Sequence, residues 1–253
     1  MCLIVFSELE DLNRDSEYSF ILLANRDEYY DRPTEPMGWW PDLFLAGKDL
    51  KAGGTWLGVS DDGRFAAVTN YKEDPKPNKD SRGDLVRNFL NKSILARDYL
   101  PSLKSEDYSG FNLILIDQEG IHYSSNRSED TIEISKEVNA LGNRLLNSDT
   151  EKVREVRSSF KRLIQNKFSE DDLVGFMREK SGDLFNINRE EFIDKEDQEF
   201  PYRFIKSDVY GTRCTTVFLI KKCGEIVVKE QEYLRGGEMG LIRSFTLNQT
   251  NPA

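Results

Sequence analysis

The apolar segments of this chain come in blocks, and that grouping constrains the fold more than any one motif. Strand-like runs, short and rich in β-branched or aromatic residues, fall at 2–7, 18–24, 43–47 and 64–70, and 53–60 reads as a glycine-rich turn feeding another strand. Two helical stretches follow. Ser81 with Asp84 has the form of a helix start, with Leu85, Val86, Phe89 and Leu90 on one face, and a second helix is expected over 93–104, broken at Pro101. Strand signals return at 111–117, 121–125 and 131–134. Ala140 to Arg144 then reads as a short polar interruption. Ser148 with Glu151 and Ser169 with Asp172 each resemble a capping box. The first precedes Val153, Val156, Phe160, Leu163 and Ile164, and the second precedes Leu173, Val174, Phe176 and Met177, with Gly182 as the expected C-cap. An acid-rich stretch at 190–199 reads as a loop. Runs at 210–220 and 225–230 close the pattern, with an edge strand expected near Phe245. Strands in blocks, separated by pairs of helices, favour antiparallel sheets over alternating βαβ units. The expected class is α+β, a four-layer α-β-β-α sandwich of two antiparallel sheets flanked by helices. No stretch reads as a linker, so 1–253 is expected to be a single domain.

Charge narrows the function. The 253 residues carry 45 acidic against 35 basic side chains, a formal net charge of -10. Such a surface repels polyanions, which argues against nucleic acid or an anionic membrane as the main partner. No apolar run approaches the ~20 residues of a membrane-spanning helix, and 3–6 is too short for a signal-peptide core. The expected location is the cytoplasm, and the expected partner is a small-molecule ligand or substrate.

Three cysteines, Cys2, Cys214 and Cys223, form neither a disulfide framework nor a zinc spacing. The single histidine, His122, would have to serve any Ser-His or Cys-His pair, and it reads as an ordinary strand residue. Cys2 offers another route. If Met1 is removed, Cys2 carries a thiol and an α-amine with reference pKa values of ~8.5 and ~8, so the nucleophile brings its own base. The alternative is a small residue that opens a strand. Asn25, Arg26, Asp27 and Glu28 put four polar groups just after a strand that reads as buried, a favoured place for binding and catalytic groups. Trp39, Trp40, Trp56 and Tyr71 either wall a ligand site or cover part of the core. The glycines at 53, 54 and 58 lack the Lys-Ser/Thr of a phosphate loop.

A family resemblance runs through these segments. Met1-Cys2, Ala24-Asn25-Arg26-Asp27-Glu28, Arg32-Pro33-Thr34, Leu45 to Leu50, Gly53 to Ser60, Thr69-Asn70-Tyr71, Ser81-Arg82-Gly83 and Tyr210-Gly211-Thr212-Arg213 follow one another in order. Together they resemble the NRDE family, also called the transport and Golgi organisation protein 2 family. The resemblance implies a fold similar to the N-terminal nucleophile hydrolases, with a more distant likeness to the choloylglycine hydrolase and penicillin V acylase group. By position it makes Cys2 the nucleophile, Asp27 the holder of its α-amine, Asn70 an oxyanion donor, Asn143 a second polar group at the reacting centre, and Arg213 a steadying residue from a late strand. Asn25, Arg26, Trp39, Trp56 and Tyr71 become candidate binding residues. The acylase group has Arg three residues before its Asp, whereas Ala24 stands there in this chain and Arg26 adjoins Asp27. The implied activities are hydrolysis of an amide or thioester of a small apolar acyl compound or, alternatively, non-catalytic carriage of haem or acyl-CoA. No cofactor is required, and haem is a candidate ligand.

Overall fold

Strand β2 (Tyr18–Tyr29) is shared by two ladders, one along each of its sides. In a computed structural model the described residues are 2–41, 44–74, 77–129, 132–191 and 200–248. They form two compact units that alternate along the sequence. One holds the chain up to Arg32, Ser135–Gly142 and Asn147–Thr246, and the other holds Pro33–Ile134, Asn143–Leu146 and the chain from Leu247.

The first unit is built on a six-stranded sheet. With strands numbered along the chain, its members are β1 (Cys2–Glu8), β2, β9 (Asn139–Leu141), β12 (Tyr210–Lys221), β13 (Glu225–Tyr233) and β14 (Met239–Asn248), in the order β14-β13-β12-β2-β1-β9. Side chains alternate between the faces of a strand. Leu3, Val5, Ile21, Leu23, Val217 and Leu219 therefore share one face, where helices α3 (Glu151–Ile164) and α4 (Glu170–Arg178) cover them with Val153, Val156, Phe160, Leu173 and Met177. Phe160 is fully buried there, and truncating such a ring to alanine costs about 3–5 kcal/mol. The opposite face gathers Phe6, Phe20 and Phe218. The Ser169/Asp172 capping box forms as the sequence predicts, with Asp172 Oδ2 accepting from the Ser169 N–H at 2.8 Å. The start of α3 differs. Thr150 accepts from the Val153 N–H, so the cap lies two residues beyond Ser148.

The second unit carries the other six-stranded sheet, in the order β3 (Thr34–Trp39), β4 (Phe44–Asp49), β5 (Leu57–Ser60), β6 (Phe65–Asn70), β7 (Phe111–Asp117), β8 (Gly120–Ser125). The β5–β6 hairpin turns at Asp62-Gly63, where Gly63 has φ +89°, a left-handed conformation that glycine adopts freely. Helices α1 (Gly83–Leu90) and α2 (Ala96–Tyr99) pack Leu85, Val86, Phe89 and Tyr99 against Ala66, Val68, Leu113 and Leu115. Two α+β units thus each pair an antiparallel sheet with helices on one face. A short parallel pair, β10 (Ser181–Leu184) with β11 (Phe204–Ser207), completes the described strands.

Several expectations are corrected. Asn25 to Glu28 lie inside β2 rather than after it, because β12 supplies ladder partners as far as Tyr29. Residues 34–39 form an edge strand. Residues 132–134 are not a strand, and Thr131 lies outside the described residues. Ala140 and Leu141 belong to β9. Gly182 is in β10, against the Tyr202 ring, and Glu179 ends α4. Residues 83–90 start their helix without a side-chain cap. Gly83 opens it at a close approach of two backbones, where a Cβ would come within 2.9 Å of the Thr55 nitrogen. The segment 93–104 yields only α2 and a 3-10 turn at Leu100–Ser102. Most of 190–199 lies outside the described residues. Among the described residues no helix is long and apolar enough to cross a membrane.

Candidate active site

Three strand ends build the site of the first unit. Cys2 opens β1 directly opposite Arg26 of β2, and Arg26 is in turn opposite Cys214 of β12. One residue on, Asp27 is opposite Thr212. Between Thr212 and Cys214 the β12 ladder skips Arg213, a bulge that turns its side chain away from the regular alternation.

Asp27 is buried, at 3% exposure. The Thr212 hydroxyl donates to its Oδ1 at 2.7 Å and accepts the Ile205 N–H at 3.0 Å, so its single proton is committed to the carboxylate. The Tyr210 hydroxyl donates to the Asp27 carbonyl at 2.9 Å. Burial pushes the Asp27 pKa up, while Lys152, the Thr212 hydrogen bond and Arg26 act against the rise. Cys2 is half-buried. Burial raises its thiol pKa and the Asp27 carboxylate adds to the rise, whereas Arg26 and the Asp27 backbone N–H pull it down. Arg26 is 5% exposed and reaches Glu28 at 3.8 Å.

Each residue of Tyr210-Gly211-Thr212-Arg213 therefore serves the same strand end. Tyr210 and Thr212 hold Asp27. Gly211 leaves room for Tyr30, since a Cβ there would lie 2.2 Å from the Tyr30 hydroxyl oxygen. Arg213 Nη1 donates to the carbonyls of Tyr29 at 3.1 Å and Arg32 at 3.4 Å, tying down the segment that leaves β2.

The sequence-predicted residues divide between the units. Cys2, Arg26, Asp27 and Arg213 come together in the first. Asn25 is there too, and strand alternation puts it on the helix-covered face with Asp27, whereas Cys2 and Arg26 share the opposite face. Its Nδ2 donates to Met177 O at 3.0 Å and Arg203 O at 2.8 Å, and its Oδ1 accepts from Thr215 at 2.6 Å. Asn25 fastens α4 to the sheet. In the second unit Asn143 Nδ2 donates to the Asn70 carbonyl at 2.8 Å and the Asn143 carbonyl accepts from Lys72, so these two expected residues are joined to each other. Tyr71 lies beneath the Arg144 guanidinium at 5.9 Å. The Trp56 ring packs on Gly47, where a Cβ would come within 2.3 Å of it. Trp39, at 52% exposure, is not enclosed by its surroundings. His122 stays a strand residue of β8, its Nε2 3.6 Å from Asp117. Sequence reasoning gave no role to Thr212, Tyr30, Lys152 or Arg235. Thr212 stood inside a quoted motif, but nothing local to the other three marks them. Among the described residues no three His, Cys, Asp or Glu are grouped to hold a metal ion.

Two units, each an antiparallel sheet with helices on one face, are the α+β class that the fold defines. The family model "Transport and Golgi organisation 2" matches residues 1–235. A mouse Transport and Golgi organization 2 homolog is 30% identical, and its human counterpart 31%, each alignment covering 92% of this chain and 94% of the relative. A fruit-fly Transport and Golgi organization protein 2 is 29% identical over 65% of both chains. The chain belongs to the Transport and Golgi organisation 2 family. Among solved structures, a Cys-to-Ala mutant of the conjugated bile acid hydrolase from Clostridium perfringens aligns over 99% of this chain and 98% of its own, with 10% identity and a TM-score of 0.40.

Proposed function

We propose that this protein is a hydrolase that uses Cys2, freed by removal of Met1, to cleave an amide or thioester of a small apolar acyl compound. The observation that carries this reading is the register that sets Cys2 opposite Arg26 and beside Asp27, whose carboxylate Thr212 holds. In the processed chain the α-amine of Cys2 takes the thiol proton. The thiolate attacks the substrate carbonyl, forming the carbon–sulfur bond. The leaving group departs with the proton carried by the amine. A water molecule, deprotonated by the same amine, then attacks the acyl-cysteine, releasing the acid and restoring the thiol. Asp27 holds the ammonium form, and the ammonium offsets part of the desolvation cost of the buried carboxylate. Haem or acyl-CoA carriage is the competing reading.

Intact-mass measurement together with product assays on octanoyl amides and octanoyl thioesters tests it. The expected results are a chain lacking Met1, and turnover that disappears in Cys2→Ala. Quantitative retention of Met1 overturns the mechanism. Saturable binding of haemin or acyl-CoA that survives Cys2→Ala, with no product released by the wild type, establishes the carrier instead.

A further inference from the structure

Tyr30 leaves β2 one residue beyond its end, and two arginines from distant parts of the chain converge on it. The Arg213 guanidinium lies 5.5 Å from the centre of its ring, and that of Arg235 lies 5.7 Å from the same centre. Such approaches to a ring face are attractive but leave the guanidinium N–H groups free to bond elsewhere. An arginine has five N–H donors. Arg213 spends those of Nη1 on the Tyr29 and Arg32 carbonyls, and its Nε and Nη2 have no acceptor among the described residues. This leaves the side-on edge, the fork that matches two oxygens of an oxyanion.

Neither arginine has a carboxylate partner among the described residues, although the chain holds more acids than bases. The nearby acids are already engaged. Glu28 is shared by Arg26 at 3.8 Å and Arg32 at 3.7 Å, Asp31 takes Arg189 at 2.9 Å, and Asp27 takes Thr212. Arg213 is half-buried, and desolvation and the like charge of Arg26 disfavour its cation more than Cys214, Tyr30 and Glu28 support it. A guanidinium in that setting is stabilised by an incoming anion.

The second arginine is held in place. Arg235 opens a turn in which Gly236 and Gly237 have φ +77° and +80°, and the turn is closed by Leu234 N–H to Glu238 O at 2.9 Å and Gly237 N–H to Leu234 O at 3.0 Å. A Cβ on Gly237 would press on Phe204 and Lys206, so the turn is packed onto β11. The Arg235 side chain itself is exposed.

We propose that Arg213 and Arg235, set around the Tyr30 ring, form an oxyanion-binding site for the carboxylate or phosphate of a small organic ligand. The inference rests on the reading that this end of the first sheet receives an acyl compound, and it adds that the compound is anionic. The Arg213 edge takes the oxyanion side-on, Arg235 supplies a second cation, and Tyr30 keeps the two guanidiniums in place.

Calorimetric titration of the full chain with octanoate, octyl phosphate and neutral octanamide tests the site. Cys2→Ala protein is used throughout, so that binding is read whether or not Cys2 turns over. The expected result is saturable binding of octanoate or octyl phosphate, with octanamide weaker by about tenfold or more, the worth of one charge-assisted hydrogen bond. The tighter of the two anions identifies the carboxylate or phosphate source. Arg235→Gln, at an exposed position, should lower affinity for the anion about tenfold while leaving octanamide unchanged. Arg213→Lys should weaken it too, because an ammonium lacks the fork. Arg14→Gln removes the same charge elsewhere and should change nothing. The proposal is overturned if octanamide binds as well as the anions, if no anion saturates, or if Arg235→Gln matches the unsubstituted arginine. Absence of turnover by the wild-type chain, with anion binding intact, would discard the hydrolase and leave this site standing.

Discussion

The Thr212 hydroxyl hands its only proton to Asp27 Oδ1, at 2.7 Å, because its lone pair already accepts the Ile205 N–H. Thr212→Val keeps the shape and removes both bonds, leaving a buried carboxylate oxygen and a buried N–H short of partners. A loss of about 2–4 kcal/mol is expected, and Thr212→Ser should recover most of it. Urea unfolding of the three proteins checks the order.

Asp27 itself is expected to trade stability for function. Its folded pKa is raised above the ordinary carboxylate value, with burial as the main cause. The folded state therefore holds the proton more tightly than the unfolded chain, and the associated stability is complete below the unfolded pKa and lost as pH rises through the folded one. Asp27→Asn should be the more stable protein at pH 7 to 8, with the gap closing toward pH 4, while Cys2-dependent turnover is lost. Thermal melts across that pH range measure it. A wild type that outlasts Asp27→Asn at pH 8 would show that the burial cost is fully compensated.

Gly211 and Tyr30 should be energetically coupled. Gly211→Ala places a methyl 2.2 Å from the Tyr30 oxygen and 2.9 Å from the Ile205 carbonyl, so a cost of about 1–3 kcal/mol is expected. Tyr30→Phe removes the nearest obstacle. A double-mutant cycle should show the pair less destabilised than the two single changes added together.

The three thiols should react in the order of their exposure. Cys223 is exposed, Cys2 is half-buried, and Cys214 is buried with its pKa raised well above normal by desolvation and Glu230. Timed iodoacetamide labelling at pH 7.5, read by peptide mass spectrometry, should label Cys223 first and Cys214 last. Asp27→Asn should speed labelling of Cys2, since the carboxylate raises the Cys2 pKa.

Asn25→Ala should harm the fold rather than the chemistry. It strips partners from Met177 O, Arg203 O and Thr215 in a site 1% exposed, so about 2–4 kcal/mol of stability should go. Turnover per folded molecule should be nearly unchanged.

The sequence showed the sheets plainly where apolar residues carried the pattern. Phe111 to Asp117 is β7 as read, and Ser169 with Asp172 caps α4 as read. It failed where pairing rather than composition makes the strand. Asn25 to Tyr29 and Thr34 to Trp39 are polar or proline-bearing, and they are strands only because β12 and β4 lie beside them. The same limit applies to the site. Cys2 and Asp27 stand in motifs that the sequence displays, but the commitment of Asn25 to α4 depends on a helix about 150 residues away. The pairing of Arg213 with Arg235 depends on where a glycine turn happens to be packed. Short motifs record which residues matter and are silent on which neighbour uses them.

The position of β1 also sets a timetable. Its hairpin partner β2 is made next, but β9 and β12 complete the sheet only after residues 139 and 210 have been synthesised. Contacts so distant in sequence form late. For most of translation the first residues of the chain have a single ladder partner, and Asp27 lacks the Thr212 that will hold it. The neighbours that Arg26 and Asp27 have at this strand end are therefore complete only once β12 has been made.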